Sequence, residues 1–116
     1  SQNWQADRFK HDYQALIDTL KTIPGQPKIY LCLPVPVYKT EWGINDSTLV
    51  KGVIPIIKEL AKHNKLTLID LYQGMSGQPE NFPDNIHPNE QGANKMATII
   101  ADKITENYQN LFAKKV

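Results

Sequence analysis

His63-Asn64-Lys65-Leu66-Thr67-Leu68-Ile69-Asp70-Leu71 is the segment that decides the fold. It passes from the end of a helical pattern to an apolar run of strand length through Asn64-Lys65 alone, so the chain must return directly onto a sheet. Upstream, from about Thr48 to His63, Val50, Val53, Ile54, Ile57, Leu60 and Ala61 fall on one helix face. Asp46 or Ser47 is the expected cap, and Pro55 predicts a bend or a late helix start. Before that, Lys28-Ile29-Tyr30-Leu31-Cys32-Leu33 is a second apolar run, as a strand covered on both faces would be. Pro34 and Pro36 stop it. Strand, helix and tight return make the two strands parallel, with a right-handed crossover.

The remaining pattern is helical. Phe9, Tyr13, Leu16, Ile17 and Leu20 mark one face of a helix from about Gln5 to Lys21, ended by Pro24-Gly25-Gln26-Pro27. A last helix, from about Asn89 to Leu111, is expected to bury Ala93, Met96, Ala97, Ile100, Ile104, Tyr108 and Leu111. The class is therefore α/β, with two parallel strands and three helices. Its two long loops, Val35 to Asp46 and about seventeen residues after Leu71, both follow strand carboxyl ends and exceed ordinary connections. Both short turns lie at the opposite edge. Since open parallel sheets bind ligands at the carboxyl edge, Tyr38, Glu41 and Trp42 should share a rim with Asp84 and His87.

That second loop ends in Asp84-Asn85-Ile86-His87-Pro88-Asn89-Glu90-Gln91-Gly92. Pro88 holds His87 in an extended conformation, and Asn89 is a good N-cap for the last helix. A carboxylate three residues ahead can fold back onto Nδ1 and leave Nε2 free as a base. On spacing alone the block also reads as a plain turn and cap, because Asp, Asn and Pro gather in turns for local reasons. The pattern Asp84-x-x-His87-Pro88, followed by Asn89-x-x-Gly92, resembles the last sequence block of the SGNH hydrolases, the esterases and lipases of the GDSL type. The resemblance extends through Leu33-Pro34-Val35-Pro36, Trp42-Gly43-Ile44-Asn45-Asp46 and Leu68-Ile69-Asp70-Leu71. It covers most of the chain, although only the Asp-x-x-His block is specific.

That resemblance implies a three-layer α/β/α, flavodoxin-like SGNH fold of which residues 1–116 form the C-terminal portion of a single domain. It implies ester hydrolysis with His87 as general base and Asp84 as its orienting carboxylate, on a small acyl ester or an acetylated carbohydrate. Tyr38 and Trp42 would then wall the acyl or sugar part of the substrate, the other reading being that they cover the loop's own core. No Gly-Asp-Ser block supplies a nucleophile and no Gly-x-Asn block supplies oxyanion donors; both are expected before Ser1. Ser1, Ser47 and Ser76 read as terminus, helix cap and glycine loop, without the strand-to-helix setting of an activated serine. The expected partner is the N-terminal half as a separate polypeptide, pairing along the Lys28–Leu33 edge, or else a second copy. The chain alone should be inactive. Resemblance to bacterial acyl-hydrolases implies a periplasmic or secreted protein, while the residues themselves assign no compartment.

Composition bounds the alternatives. A net charge of +1, from 13 basic and 12 acidic residues, gives no electrostatic reason to bind nucleic acid or an anionic membrane. No apolar stretch is long enough to span a bilayer. Cys32, within an apolar run, reads as a small buried hydrophobe, and Asp70, at a strand end, as an acceptor of loop amides. His11 and His63 lie among polar helix residues and are expected to face solvent. No cofactor or metal is called for, because one His and one Asp make an incomplete ligand set. The rivals are a non-catalytic binding or assembly module using the Tyr38/Trp42 rim, and a metal-dependent hydrolase using His87 and Asp84.

Overall fold

The computed structural model describes residues 4–114, the side chains of residues 111–114 excepted. Its elements run α1 (Ala6–Lys21), β1 (Tyr30–Cys32), α2 (Asp46–Thr48), a π turn (Leu49–Val53), α3 (Ile54–Asn64), β2 (Thr67–Ile69), α4 (Leu71–Gly74), a 3₁₀ turn (Pro79–Asn81) and α5 (Glu90–Lys114). β1 and β2 are parallel, with Tyr30 opposite Thr67, Leu31 opposite Leu68 and Cys32 opposite Ile69. The Leu33 amide donates to the Ile69 carbonyl at 2.9 Å and extends the ladder by one bond.

The decisive return is built as its sequence suggests. Lys65 takes a left-handed conformation at φ +55° as the C-cap of α3, and the Leu66 amide closes the turn onto the Ala61 carbonyl at 2.9 Å. Asn64 exchanges hydrogen bonds of 2.9 and 2.7 Å with Gln14, so the same turn ties α3 to α1. Pro55 occupies the first turn of α3, where its missing N–H costs nothing. The π turn just before it widens the helix and accommodates the proline ring.

One cap and one strand end depart from the expectations. The cap of the second helical run is Asn45, whose side chain accepts the Thr48 amide at 2.8 Å, and not Asp46 or Ser47, because Asp46 is used in the loops described below. The second strand, which its apolar run predicts over Leu66 to Leu71, ends at Ile69 because Asp70 caps α4, accepting the Gln73 amide at 2.9 Å.

Packing is unequal on the two faces of the sheet. Leu31 and Leu33 point to one side, where Ile17 of α1 and Ile54, Ile57, Leu60 and Ala61 of α3 enclose them. Full burial of each large aliphatic side chain contributes about 1.5–3 kcal/mol. On the other side α5 packs on β2 and α4, with Asn107 donating to the Tyr30 hydroxyl at 3.2 Å. Gly74 permits the close approach of Ile99, since a Cβ there would lie 2.7 Å from the Ile99 Cδ1.

Much of the apolar stripe expected to be buried on α5 is uncovered. Ala93 and Ala97 are exposed, as are Ile104 at 41% and Tyr108 at 70%; the side chain of Leu111 lies outside the described residues. Leu16 of α1 is exposed too, and so is Cys32, which corrects its reading as a buried hydrophobe. The cause is the small size of the sheet: a 25-residue helix runs about 37 Å, whereas two strands of three residues offer a face only about 10 Å long and about 10 Å wide. Among the described residues, β1 has a neighbouring strand on one edge only.

Candidate active site

Both long loops rise from the carboxyl edge of the sheet and are locked to each other there. The Tyr38 amide donates to the Asn85 carbonyl at 2.9 Å, and the Asn85 side chain donates to Glu41 at 3.3 Å. Asp46 anchors the base of the first loop, accepting the Val37 amide at 3.0 Å and the Tyr72 hydroxyl at 2.6 Å. The hydrogen bond to that carboxylate pushes the Tyr72 phenol up to about 12. Tyr38 is occupied structurally, its hydroxyl donating to the Met75 carbonyl and accepting the Gln78 amide. Its ring lies 5.0 Å from that of the buried Phe82.

The Asp84 block is a local device that aims an imidazole. One carboxylate oxygen accepts the Ile86 amide at 2.9 Å and the His87 amide at 2.6 Å, while the other meets His87 Nδ1 at 2.7 Å. The first oxygen thus folds the backbone, and the second fixes the ring. Asn85 makes this possible by taking φ +70°, a conformation that asparagine tolerates better than most residues. Among the described residues Nε2 of His87 has no hydrogen-bond partner, and the side chain is 70% exposed.

The far end of the block is pinned equally firmly. Asn89 caps α5 by accepting the Gly92 amide at 2.9 Å, and its own amide donates to the Asn81 carbonyl at 2.8 Å. Gly92 is buried against the 3₁₀ turn, and a Cβ there would come within 2.9 Å of Pro88 Cβ and 3.1 Å of the Asn81 carbonyl. Any side chain at 92 would therefore lever α5 away from the turn that carries His87.

Three hydrogen bonds hold Asp84 in its charged form, those from the His87 backbone foremost, and lower its carboxyl from 3.8 to about 2. Because the folded value is depressed, this contribution is present above the unfolded value of 3.8 and is lost as pH falls through about 2. The His87 amide proton is therefore expected to show an NMR titration step near pH 2 that Asp84→Asn abolishes. A step near 3.8 would show that the turn is not held by this carboxylate.

Trp42 completes the rim. Glu41 and Ile44 bond each other across a two-residue hairpin, at 3.1 and 2.8 Å, with Trp42 at φ +50° and Gly43 at φ +76°. Positive φ at both central positions is the type I′ pattern, which favours Asn-Gly; a tryptophan there costs on the order of 1–3 kcal/mol. The indole lies 6.2 Å from the His87 ring, centroid to centroid, and is 73% exposed.

The structure thus brings Glu41, Trp42, Asp84 and His87 together and turns Tyr38 to a supporting role. Sequence reasoning missed Asn85 as the brace between the loops. Its only signal was an asparagine inside a turn that needs a left-handed residue. Ser76 donates to the Tyr72 carbonyl, Ser47 lies exposed on α2, and Ser1 falls outside the described residues. His11 and His63 are exposed and border a shallow depression between α1 and α3. Among the described residues no three His, Cys, Asp or Glu side chains converge as metal ligands, and no helix is long and apolar enough to cross a membrane.

A carboxylate-oriented imidazole thus stands at the carboxyl edge of a parallel α/β scaffold, the edge at which open parallel sheets bind ligands. The chain belongs to the GDSL-like lipase/acylhydrolase family, whose model matches residues 1–95. It is 38% identical to an acetylxylan esterase of Xylanibacter ruminicola over 122 aligned positions, which cover 89% of this chain and 25% of that protein. The fold is shared with the esterase domain of the ORF1 protein from the zebrafish ZfL2-1 retrotransposon, at TM-score 0.76 and 24% identity, over 88% of this chain and 64% of that one. A crystal structure of a candidate acylhydrolase from Bacteroides fragilis matches at TM-score 0.69 and 23% identity, over 90% and 53%. The chain therefore spans a quarter of the curated relative and half to two thirds of these structures.

Proposed function

We propose that this chain furnishes the histidine and aspartate of a Ser-His-Asp esterase acting on acetylated carbohydrate. The observation that carries the reading is the 2.7 Å contact between Asp84 and His87 Nδ1, with the Nε2 edge open. Asp84 holds the proton on Nδ1, so Nε2 can accept the proton of a serine hydroxyl as that oxygen attacks the ester carbonyl. The imidazolium then protonates the departing alcohol, leaving an acyl-enzyme. A water molecule, deprotonated by the same nitrogen, releases acetate.

The serine and the oxyanion donors would come from polypeptide outside residues 1–116, laid along the open edge of β1. The acetylated-carbohydrate substrate is favoured by the acetylxylan esterase relative, and such a polymer is met in the periplasm or outside the cell. The test is release of acetate from an aryl acetate and from acetylated xylan, by this chain alone and together with a polypeptide bearing a Gly-Asp-Ser block. Hydrolysis is expected only from the combination, and a chelator should leave it unchanged. Hydrolysis by the chain alone would place the nucleophile within it, and loss on chelation, restored by a divalent cation, would replace the serine mechanism with a metal-dependent one.

A further inference from the structure

We infer that Trp42 is the platform for the alcohol side of the substrate, stacking a pyranose ring on its indole so that an acetyl group of that sugar reaches Nε2 of His87. The inference rests on the esterase reading above and adds to it the residue that selects a sugar. Four observations support it. Among the described residues Trp42 is the most exposed large hydrophobic side chain, at 73%, although an indole left in water forfeits its burial energy. It occupies the first central position of a tight hairpin at φ +50°, where asparagine or glycine would serve the turn better, so the turn alone does not account for it. A strained residue beside a reactive group is a reason to look for function.

The third observation is coupling. Asn85, sitting between Asp84 and His87, holds Glu41 of the same hairpin at 3.3 Å, so the indole and the imidazole are carried on one brace. Their ring centroids lie 6.2 Å apart and their planes are inclined by 46°, close enough for one bound sugar to touch both. The fourth is the contrast with Tyr38, whose ring packs on Phe82 and whose hydroxyl is spent on Met75 and Gln78. Of the two aromatic residues on the rim, Trp42 has the face to offer. An acetyl group is too small to need such a surface, whereas the apolar C–H face of a pyranose is matched by one.

The experiment compares kcat/KM on an acetylated xylo-oligosaccharide with kcat/KM on an aryl acetate, using the complete catalytic assembly. Trp42→Ala is expected to lower the ratio of the two about tenfold, and Trp42→Phe to restore part of it. Unacetylated xylo-oligosaccharide should inhibit the unsubstituted protein competitively and the Trp42→Ala protein much less. An equal loss on both substrates would mean that the indole packs against protein and would overturn the inference; so would an unchanged ratio. Failure of the esterase reading looks different, because the unsubstituted assembly would then hydrolyse neither substrate, or would lose both activities to a chelator whatever residue stands at 42.

Discussion

His87→Ala is expected to abolish ester hydrolysis by the completed enzyme, lowering kcat by roughly three to six orders of magnitude. The imidazole is the one described group at the carboxyl edge that is both held by a carboxylate and open on its other nitrogen. On the proposed Ser-His-Asp mechanism, the serine would then have to lose its proton to water in the attack, and the leaving alcohol would depart without a proton donor. The fold should survive, since the side chain is 70% exposed and its loss opens no cavity. A steady-state assay on a small acetyl ester, with circular dichroism as the folding control, decides the matter. Activity within tenfold of the unsubstituted enzyme would remove His87 from the mechanism.

Asp84→Asn is expected to cost roughly two to four orders of magnitude, through the tautomer and not through the fold. An amide oxygen can still accept the Ile86 and His87 amides, so the turn persists. The amide nitrogen now faces Nδ1 and donates to it, which moves the ring proton to Nε2 and leaves no lone pair for the serine. Asp84→Ala removes both functions, and should add loosening of the 84–87 turn to the same catalytic loss. Comparing the two variants separates ring orientation from backbone folding: if Asp84→Asn kept full activity, the 2.7 Å contact would be structural only.

Legibility in the sequence followed the range of the interactions. The Asp84-His87 pair was readable because its contacts span two and three residues, distances that a turn closes by itself. The parallel pairing followed from the two-residue return at Asn64-Lys65, and the placing of the site followed from loop lengths, since long loops on one edge of a parallel sheet are where function gathers. Asp70 as an acceptor of loop amides was likewise local. The periodicity of α5 was real, but periodicity records which face is apolar and not what lies opposite it. Ile104 and Tyr108 are consequently on the expected stripe and exposed.

By itself, then, the sequence determined the order of the three long helical segments and two strands, though not α4 or the 3₁₀ turn, together with the parallel sense of the strands and the carboxylate-oriented histidine, all of which depend on neighbours within a few residues or on chain length between elements. Only the tertiary structure decided the roles of residues whose partners lie far along the chain. Asp46 is drawn from helix capping to Val37 and Tyr72, Tyr38 is absorbed by Met75, Gln78 and Phe82, and Asn85 bridges to Glu41. Cys32 and Tyr30 lie on the same face of β1 by the alternation of the strand, yet Tyr30 meets Asn107 and Cys32 is exposed. Burial is a property of what crosses above a residue, and no local pattern encodes it.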